Sequence, residues 1–184
     1  MAVAAKRIAE TLARATRVKQ YTLAFLTRNY EGEEQVLLGM KKRGFGQGKW
    51  NGFGGKVEST DKTIEDAAAR EMTEEASISV RGQDMQRRGT LVFTFTDKPE
   101  VMEVHVFVVD TFQGIPAETD EMRPQWYSIE TIPYASMWSD DSFWLPHVLN
   151  GKRIVGQFDF ADDETTILDH ALDFESASLP HTIQ

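Results

Sequence analysis

Three glutamates crowd into five consecutive positions of a predicted helix between Gly55 and Ile78. They are Glu71, Glu74 and Glu75, in the stretch Arg-Glu-Met-Thr-Glu-Glu. At about 100° per residue, their carboxylates occupy roughly one third of the helix circumference. Like charges three or four residues apart destabilise a helix by a few tenths of a kcal/mol per pair. The face that carries them must therefore be solvated or hold a cation.

The same helix has an apolar stripe beside the glutamates. Ile64, Ala68, Met72 and Ala76 recur every four residues and predict the face that packs on a core. The carboxylates then stand at the edge of a buried face, where unpaired charge is costly. Hard oxygen ligands at such an edge suit Mg²⁺ or Mn²⁺, and the pattern indicates metal-assisted phosphate chemistry. From the three glutamates alone, an ordinary solvated helix face is the alternative.

The surroundings of the glutamates resemble the Nudix box of nucleoside-diphosphate-linked hydrolases. A glycine-rich strand end precedes Arg-Glu-apolar-x-Glu-Glu, and three flanking runs extend the resemblance: VLLGMKKRGFGQGKWNGFGGKV, DEMRP and MWSDDSFW, at 36–57, 120–124 and 137–144. These runs resemble the branch of the family that hydrolyses oxidised purine nucleoside triphosphates, over residues 21–174. The resemblance implies an α/β fold, the Nudix α/β/α sandwich with a mixed β-sheet and two main helices.

The resemblance also implies a reaction and a metal site. The metal-binding and catalytic residues would be Glu71, Glu74, Glu75 and Glu121, with the backbone carbonyl of Gly54 as a further ligand of Mg²⁺ or Mn²⁺. The metal would lower the pKa of an attacking water. Substitution at a phosphorus would convert 8-oxo-dGTP, 2-hydroxy-dATP and related nucleotides to the monophosphate and pyrophosphate, which keeps them out of DNA. Glu71 and Glu121 are both candidates for the general base.

A purine pocket is the second implied site. Its predicted residues are Thr22, Lys41, Phe45, Asn51, Phe93, Phe95, Met102, Trp138, Asp140, Asp141 and Trp144. Phe93 and Phe95 alternate on one strand face, which favours a shared cavity but also fits plain core residues. Trp138 offers a flat face for a purine, and Asn51 offers both a donor and an acceptor. Asp140 and Asp141 precede an apolar run and also fit a helix N-cap.

The box departs from the family pattern at two places. The segment from Gly55 to Arg70 is one residue longer, so that Asp61 or Lys62 fills the place of a glutamate, and Ser77 replaces a glycine. We expect Arg70 to orient the site by pairing with a carboxylate of the preceding loop or of the box itself. An alternative function is hydrolysis of another nucleotide, or nucleotide binding without catalysis on a Nudix scaffold.

Composition limits the partners of the chain. Its 184 residues predict one main domain, and the absence of cysteine excludes disulfides and thiolate metal sites. A net charge of −9 argues against binding of a nucleic-acid polymer, and no apolar run is long enough to span a membrane. We expect a monomer that acts on small-molecule purine nucleoside triphosphates. The expected location is cytoplasmic, with the mitochondrial or nuclear pool as alternatives.

The chain divides into a basic N-terminal extension (1–18), a Nudix hydrolase domain (19–175) and a C-terminal tail (176–184). The extension could serve as an import presequence, a short helix lying on the domain, or a disordered tail, and we expect it to be dispensable for catalysis. Strands are predicted at 21–27, 35–41, 90–96, 102–111, 124–129, 153–160 and 166–174, and helices at 63–76 and 142–149.

Overall fold

The computed structural model describes residues 3–175, and the predicted tail at 176–184 lies outside this part of the chain. Three α-helices occur among these residues: Val3–Arg14 (α1), Ile64–Ala76 (α2) and Asp141–Leu149 (α3). The strands are Arg17–Tyr30 (β1), Glu33–Lys41 (β2), Trp50–Asn51 (β3), Gln86–Phe95 (β4), Lys98–Val109 (β5), Met122–Ser128 (β6), Arg153–Phe160 (β7) and Ile167–Glu175 (β8). None of the described helices is long and apolar enough to cross a membrane.

All of these strands belong to one mixed sheet. Its order is β3-β2-β1-β5-β4-β7-β8, and β6 pairs with β2 outside that path. The β1–β5 and β4–β7 pairs are parallel, whereas the β1–β2, β2–β6, β4–β5 and β7–β8 pairs are antiparallel. The predicted mixed sheet is confirmed.

Helices cover both faces of the sheet, as the predicted sandwich requires. Ala24 and Leu26 of β1 pack with the apolar stripe of α2, whereas the intervening Phe25 packs with Trp144 of α3 on the opposite face. This division follows from the alternation of side chains along a strand. The stripe predicted for α2 is buried at Ala68, Met72 and Ala76, the positions that spacing by four residues brings to one face.

The N-terminal extension supplies a third helix beyond the two predicted main ones. α1 packs on β7 and β8 and contacts Gln157 and Asp159. The neighbouring Phe158 and Phe160 point to the α3 side of the sheet. Because side chains alternate along a strand, α1 lies on the other side, the one that α2 covers. In the structure, the extension therefore forms the short helix lying on the domain that was one of the alternatives given above. β1 begins at Arg17, so the first two residues of that strand belong to the segment predicted as extension.

The structure lengthens β1 at both ends and adds the short strand β3. Residues 28–30 lie between the strands predicted at 21–27 and 35–41, but they pair with residues 33–35 of β2 across a two-residue turn. That turn holds Glu31 and Gly32 at φ 54° and 88°, the left-handed conformation that tight hairpins need. Pairing with a neighbouring strand has overridden the local polar composition here.

Candidate active site

α2 is anchored at both ends, which sets the direction of its glutamates. The Thr63 hydroxyl accepts the N–H of Asp66 at 3.0 Å and caps the start of the helix. Ser77 ends it in the left-handed conformation at φ 59°, and its N–H donates to the carbonyl of Thr73. A glycine is favoured at such a position, and a serine there costs on the order of 1 kcal/mol. The helix nevertheless ends at Ala76, as the sequence predicted.

Glu75 is the buried member of the glutamate group, with 2% of its surface exposed. Its Oε2 accepts the backbone N–H of Gly54 at 2.9 Å, and its Oε1 accepts the ammonium of Lys41 at 2.8 Å. Burial raises the pKa of Glu75, although both hydrogen bonds favour the carboxylate. The side chain joins α2 to the glycine-rich loop after β3 and to the end of β2.

Lys41 also brings in the distant Glu121. Its Nζ lies 3.1 Å from Glu121 Oε2, while Arg43 Nη2 lies 2.7 Å from Glu121 Oε1. Burial opposes the charge of Lys41, but Glu75 and Glu121 outweigh it and raise its pKa. Arg43 and Lys41 lower the pKa of Glu121. The structure thus places Glu121 beside Glu75, where the family resemblance had implied it would lie.

Glu71 lies against the glycine loop. A Cβ atom at Gly55 would fall 2.5 Å from Glu71 Oε1, so a side chain at position 55 would displace the carboxylate. Burial raises the pKa of Glu71, and the hydrogen bond from Arg70 acts in the opposite direction. Glycine at position 55 therefore allows the backbone and a half-buried carboxylate to share the same small volume.

Arg70 holds three carboxylates in place, as expected of an orienting residue. Its guanidinium binds both oxygens of Asp61, at 3.0 and 3.1 Å, and donates to Glu71 at 2.9 Å and Glu74 at 3.1 Å. The Asp61 hydrogen bonds lower the pKa of that carboxyl. Of the two residues that could fill the vacant glutamate position, Asp61 is therefore the one that pairs with Arg70, and the longer loop accommodates the pair.

The donor set suits a divalent cation, but only after a rearrangement. Within residues 3–175, no three acidic or histidine side chains converge closely enough to hold one ion. The reason is that Lys41 lies between Glu75 and Glu121, while Arg70 neutralises Glu71 and Glu74. Carboxylate and carbonyl oxygens are the ligands that Mg²⁺ and Mn²⁺ take. The group fits such a cation if the Lys41 ammonium turns away.

A cavity of about 380 Å³ opens beside these carboxylates. All eleven residues predicted for the purine site line it, together with Gly54: Thr22, Lys41, Phe45, Asn51, Phe93, Phe95, Met102, Trp138, Asp140, Asp141 and Trp144. These residues come from six helices and strands and two loops, and the fold brings them together. Lys41 and Gly54 belong to both the cavity and the carboxylate group, so the two sites are continuous.

The cavity is closed on one side by aromatic rings. Phe45 stacks on Trp138 with ring centroids 4.7 Å apart, and half of the Phe45 surface remains exposed. Its loop folds at Gly46, where φ is 79° and a Cβ atom would lie 3.0 Å from the Trp138 ring. Rings this close leave no space between them, so a purine can stack on this face of Trp138 only after Phe45 moves.

Asp140 and Asp141 are both buried, and both line the cavity. Asp140 Oδ2 accepts the indole N–H of Trp144 at 2.8 Å, and Asp141 Oδ2 accepts the backbone N–H of Trp138 at 3.0 Å. Asp140 occupies the N-cap of α3, but its side chain makes no capping hydrogen bond. The capping alternative is therefore not what these carboxylates do in the structure.

The environment of this pair favours protonation. Burial raises the pKa of Asp140 to about 6, although the Trp144 hydrogen bond acts against the shift. Burial and the charge of Asp140 raise the pKa of Asp141 well above its ordinary range. Two adjacent carboxylates in a desolvated site resist double ionisation, and they titrate as one coupled unit.

Some lining residues were not predicted, and one predicted residue takes part differently. Thr22 lies two residues before Ala24 in β1, so both side chains point to the α2 side of the sheet. Thr22 therefore reaches the cavity through its backbone. Lys49 and Phe160 line the cavity without having been predicted. Lys49 Nζ lies 5.1 Å from the Trp138 ring centroid. Phe160 reads in the sequence as an ordinary strand residue, and only the β4–β7 pairing brings it to the wall.

Comparison with known proteins places this arrangement in context. Residues 20–148 match the family described as NUDIX domain. The oxidized purine nucleoside triphosphate hydrolase of Danio rerio is 51% identical over 76% of this chain and 86% of its own length. That of Mus musculus is 47% identical over 83% and 92%. The fold of the mutator MutT protein from Bacillus halodurans superposes with a TM-score of 0.71, at 24% identity over 84% of this chain and 97% of its own.

The raised pKa of Asp140 predicts how stability depends on pH. An unfolded aspartate loses its proton near pH 4, whereas folded Asp140 keeps it to about pH 6. The folded state therefore binds more protons in this window, and this group lowers the free energy of unfolding as pH rises through it. Urea denaturation between pH 4 and 8 should show Asp140→Asn gaining stability relative to the native chain.

The matched control is Asp97→Asn, on the exposed turn between β4 and β5. A stability difference between Asp140→Asn and the native chain that stays constant across this pH range would contradict the prediction.

Proposed function

The chain belongs to the NUDIX family, and from that premise we propose that it hydrolyses oxidised purine nucleoside triphosphates to the monophosphate and pyrophosphate. Relatives at 47–51% identity over most of the chain carry the name of this activity. The observation that carries the proposal is the continuity of the two sites through Lys41 and Gly54. A base-sized aromatic cavity opens directly onto the carboxylates of the box.

The cavity has the properties that recognition of an oxidised purine requires. Its volume of about 380 Å³ is in the range of small-molecule sites. Trp138 supplies a stacking surface once Phe45 moves away from it. The Asn51 oxygen accepts the N–H of Gly52, and its amide N–H groups can donate to a bound base. Asp140 and Asp141 supply an acceptor and, when they share a proton, a donor. Substrates of the proposed activity are 8-oxo-dGTP, 2-hydroxy-dATP and related modified purines.

The carboxylates of the box are proposed to hold a metal ion at the phosphate end of the substrate. Glu71, Glu74, Glu75 and Glu121, with the Gly54 carbonyl, are the proposed ligands of Mg²⁺, with Mn²⁺ as a substitute. Such an ion, when bound, neutralises phosphate oxygens and lowers the pKa of the attacking water. Arg70 keeps Glu71 and Glu74 in position through Asp61.

Lys41 has two roles in this proposal. In the structure it neutralises Glu75 and Glu121. Since it also lines the cavity, its ammonium can turn from the carboxylates toward the anionic substrate. The net charge of −9 makes such a local cation necessary, because the chain as a whole repels a triphosphate.

Glu71 and Glu121 are the proposed candidates for the general base, and their surroundings shift their pKa values in opposite directions. Burial raises the pKa of Glu71, whereas Arg43 and Lys41 lower that of Glu121. A carboxylate with a higher pKa accepts a proton more readily. Both glutamates are also proposed metal ligands, and both stay candidates for the residue that takes the proton of the attacking water.

A substrate panel tests the function. Pyrophosphate release with saturating Mg²⁺ should be measured for 8-oxo-dGTP, 2-hydroxy-dATP, their ribonucleotides and unmodified dGTP. We expect kcat/KM for at least one oxidised purine to exceed that for dGTP by about tenfold or more, because buried polar groups reject a base that leaves them unpaired. Equal values for dGTP, or preference for a diphosphate-linked sugar, would favour a different Nudix substrate.

Replacement of Glu75 by glutamine should lower kcat by about a thousandfold with the fold intact. This factor corresponds to about 4 kcal/mol, the scale of a lost metal contact. Glu65→Gln, in the first turn of the same helix, is the matched control and should keep the native rate. Near-normal turnover of Glu75→Gln with saturating Mg²⁺ would show that this carboxylate is not a ligand.

Asp140→Asn and Asp141→Asn should change the preference between 8-oxo-dGTP and 2-hydroxy-dATP, and by unequal amounts. The two bases arrange donors and acceptors differently, and a shared proton lets one aspartate donate while the other accepts. The measurement is the ratio of kcat/KM values for the two nucleotides. If both variants keep the native ratio, the pair does not select the base.

A further inference from the structure

α1 covers three aspartates on one face of the β7–β8 pair. The backbone N–H of Ala4 donates to Asp173 Oδ2 at 2.7 Å. The Arg7 guanidinium pairs with Asp159 through one nitrogen and with Asp169 through another, the second at 2.9 Å. Asp159 and Asp169 are directly opposite each other in the antiparallel register. Arg7 therefore bridges a cross-strand pair of like charges that would otherwise repel.

Asp159 extends this network from α1 into β4. Its Oδ1 accepts the Thr94 hydroxyl at 2.6 Å and the Gln157 amide at 2.8 Å. The Gln157 oxygen in turn accepts the Thr11 hydroxyl of α1 at 2.9 Å. Burial opposes ionisation of Asp159, but Thr94, Gln157 and Arg7 outweigh it and lower its pKa. The chain of contacts crosses three elements, from α1 through β7 to β4.

The opposite side of the same strands forms the aromatic wall of the purine cavity. Phe93 and Phe95 flank Thr94 in β4, and Phe160 follows Asp159 in β7. The Phe160 ring stacks on Phe95 at 5.6 Å and lies 6.2 Å from Phe93, and all three line the cavity. Because side chains alternate across a strand, the ionic network lies directly behind the rings.

We propose that α1 is an intramolecular latch that holds the aromatic wall of the purine cavity in place, with Arg7 as the positioning residue. This inference rests on the proposed function, because it concerns the affinity of the same cavity for its purine. Without Arg7, Asp159 and Asp169 repel each other across the β7–β8 pair, and a half-buried carboxylate loses its cation. The β4–β7 seam loosens, and Phe95 and Phe160 lose their fixed positions.

The latch is an addition to the family domain. The family match begins at residue 20, after α1 ends at Arg14. α1 touches none of the proposed metal-binding residues in the contacts of residues 3–175, so its loss should leave the chemical step intact. The expected signature is a change in KM with little change in kcat.

Steady-state kinetics of the full chain with 8-oxo-dGTP and saturating Mg²⁺ test the latch. Arg7→Ala should raise KM about fivefold and leave kcat within about twofold, as expected for coupling through packed elements. Lys6→Ala is the matched control and should keep the native KM. Lys6 is next to Arg7 on α1 but exposed, and among residues 3–175 it pairs only with Glu10, at 3.9 Å. Asp169→Asn in the Arg7→Ala background removes the cross-strand repulsion and should restore most of the lost affinity.

Hydrogen exchange supplies a readout that does not need turnover. Amides of residues 93–95 and 158–160 should exchange faster in Arg7→Ala than in Lys6→Ala or the native chain. A native KM in Arg7→Ala, an equal effect of Lys6→Ala, no recovery with Asp169→Asn, or unchanged exchange would each overturn the latch. If the native chain releases no pyrophosphate from any oxidised purine triphosphate, the proposed function is wrong. The latch is then judged by exchange and by the binding of 8-oxo-dGMP, followed by tryptophan fluorescence.

Discussion

The buried carboxylate of Glu75 joins the parts of the site to one another. It accepts the N–H of Gly54 and the ammonium of Lys41, so one side chain connects α2, the glycine loop and the end of β2. Burying a carboxylate is costly unless it is paired and hydrogen-bonded, and Glu75 is both. Burial favours the protonated form of Glu75 and raises its pKa, whereas Lys41 and Gly54 favour the ionised form. In the proposed function, a metal ion replaces the Lys41 ammonium as the cation that balances this negative charge.

The two ends of the cavity use buried acids in different ways. At the phosphate end, burial raises the pKa of Glu71 and Glu75, but direct pairing with Arg70 and Lys41 opposes that shift. At the base end, Asp140 and Asp141 have hydrogen bonds but no cation bonded to them, and their pKa values rise accordingly. Charge pairing favours the ionised form of a carboxylate, whereas desolvation favours the protonated form. The two groups of acids therefore differ in whether a bonded cation opposes the effect of burial.

Contacts on the α1 side of β4 and β7 bear on the cavity that lies on the opposite side of these strands. Thr94 and Asp159 point away from the cavity, yet they share strands with Phe93, Phe95 and Phe160, which line it. A strand cannot shift on one face without shifting on the other, since its side chains share one backbone. The N-terminal helix, which was expected to be dispensable for catalysis, is therefore placed to influence how the purine is held.

The sequence by itself determined α2, its buried stripe and its glutamates, because a helical period of 3.6 residues is a local property. Resemblance of long runs then indicated the fold, the members of both sites and even Glu121. Only the tertiary structure decided that Arg70 binds Asp61 together with Glu71 and Glu74, that Lys41 bridges Glu75 and Glu121, and that α1 lies on β7 and β8. Lys41 is 34 residues from Glu75 and 80 from Glu121. Contacts over such separations depend on which strands become neighbours, and strand pairing is settled by burial across the whole sheet rather than by local residues.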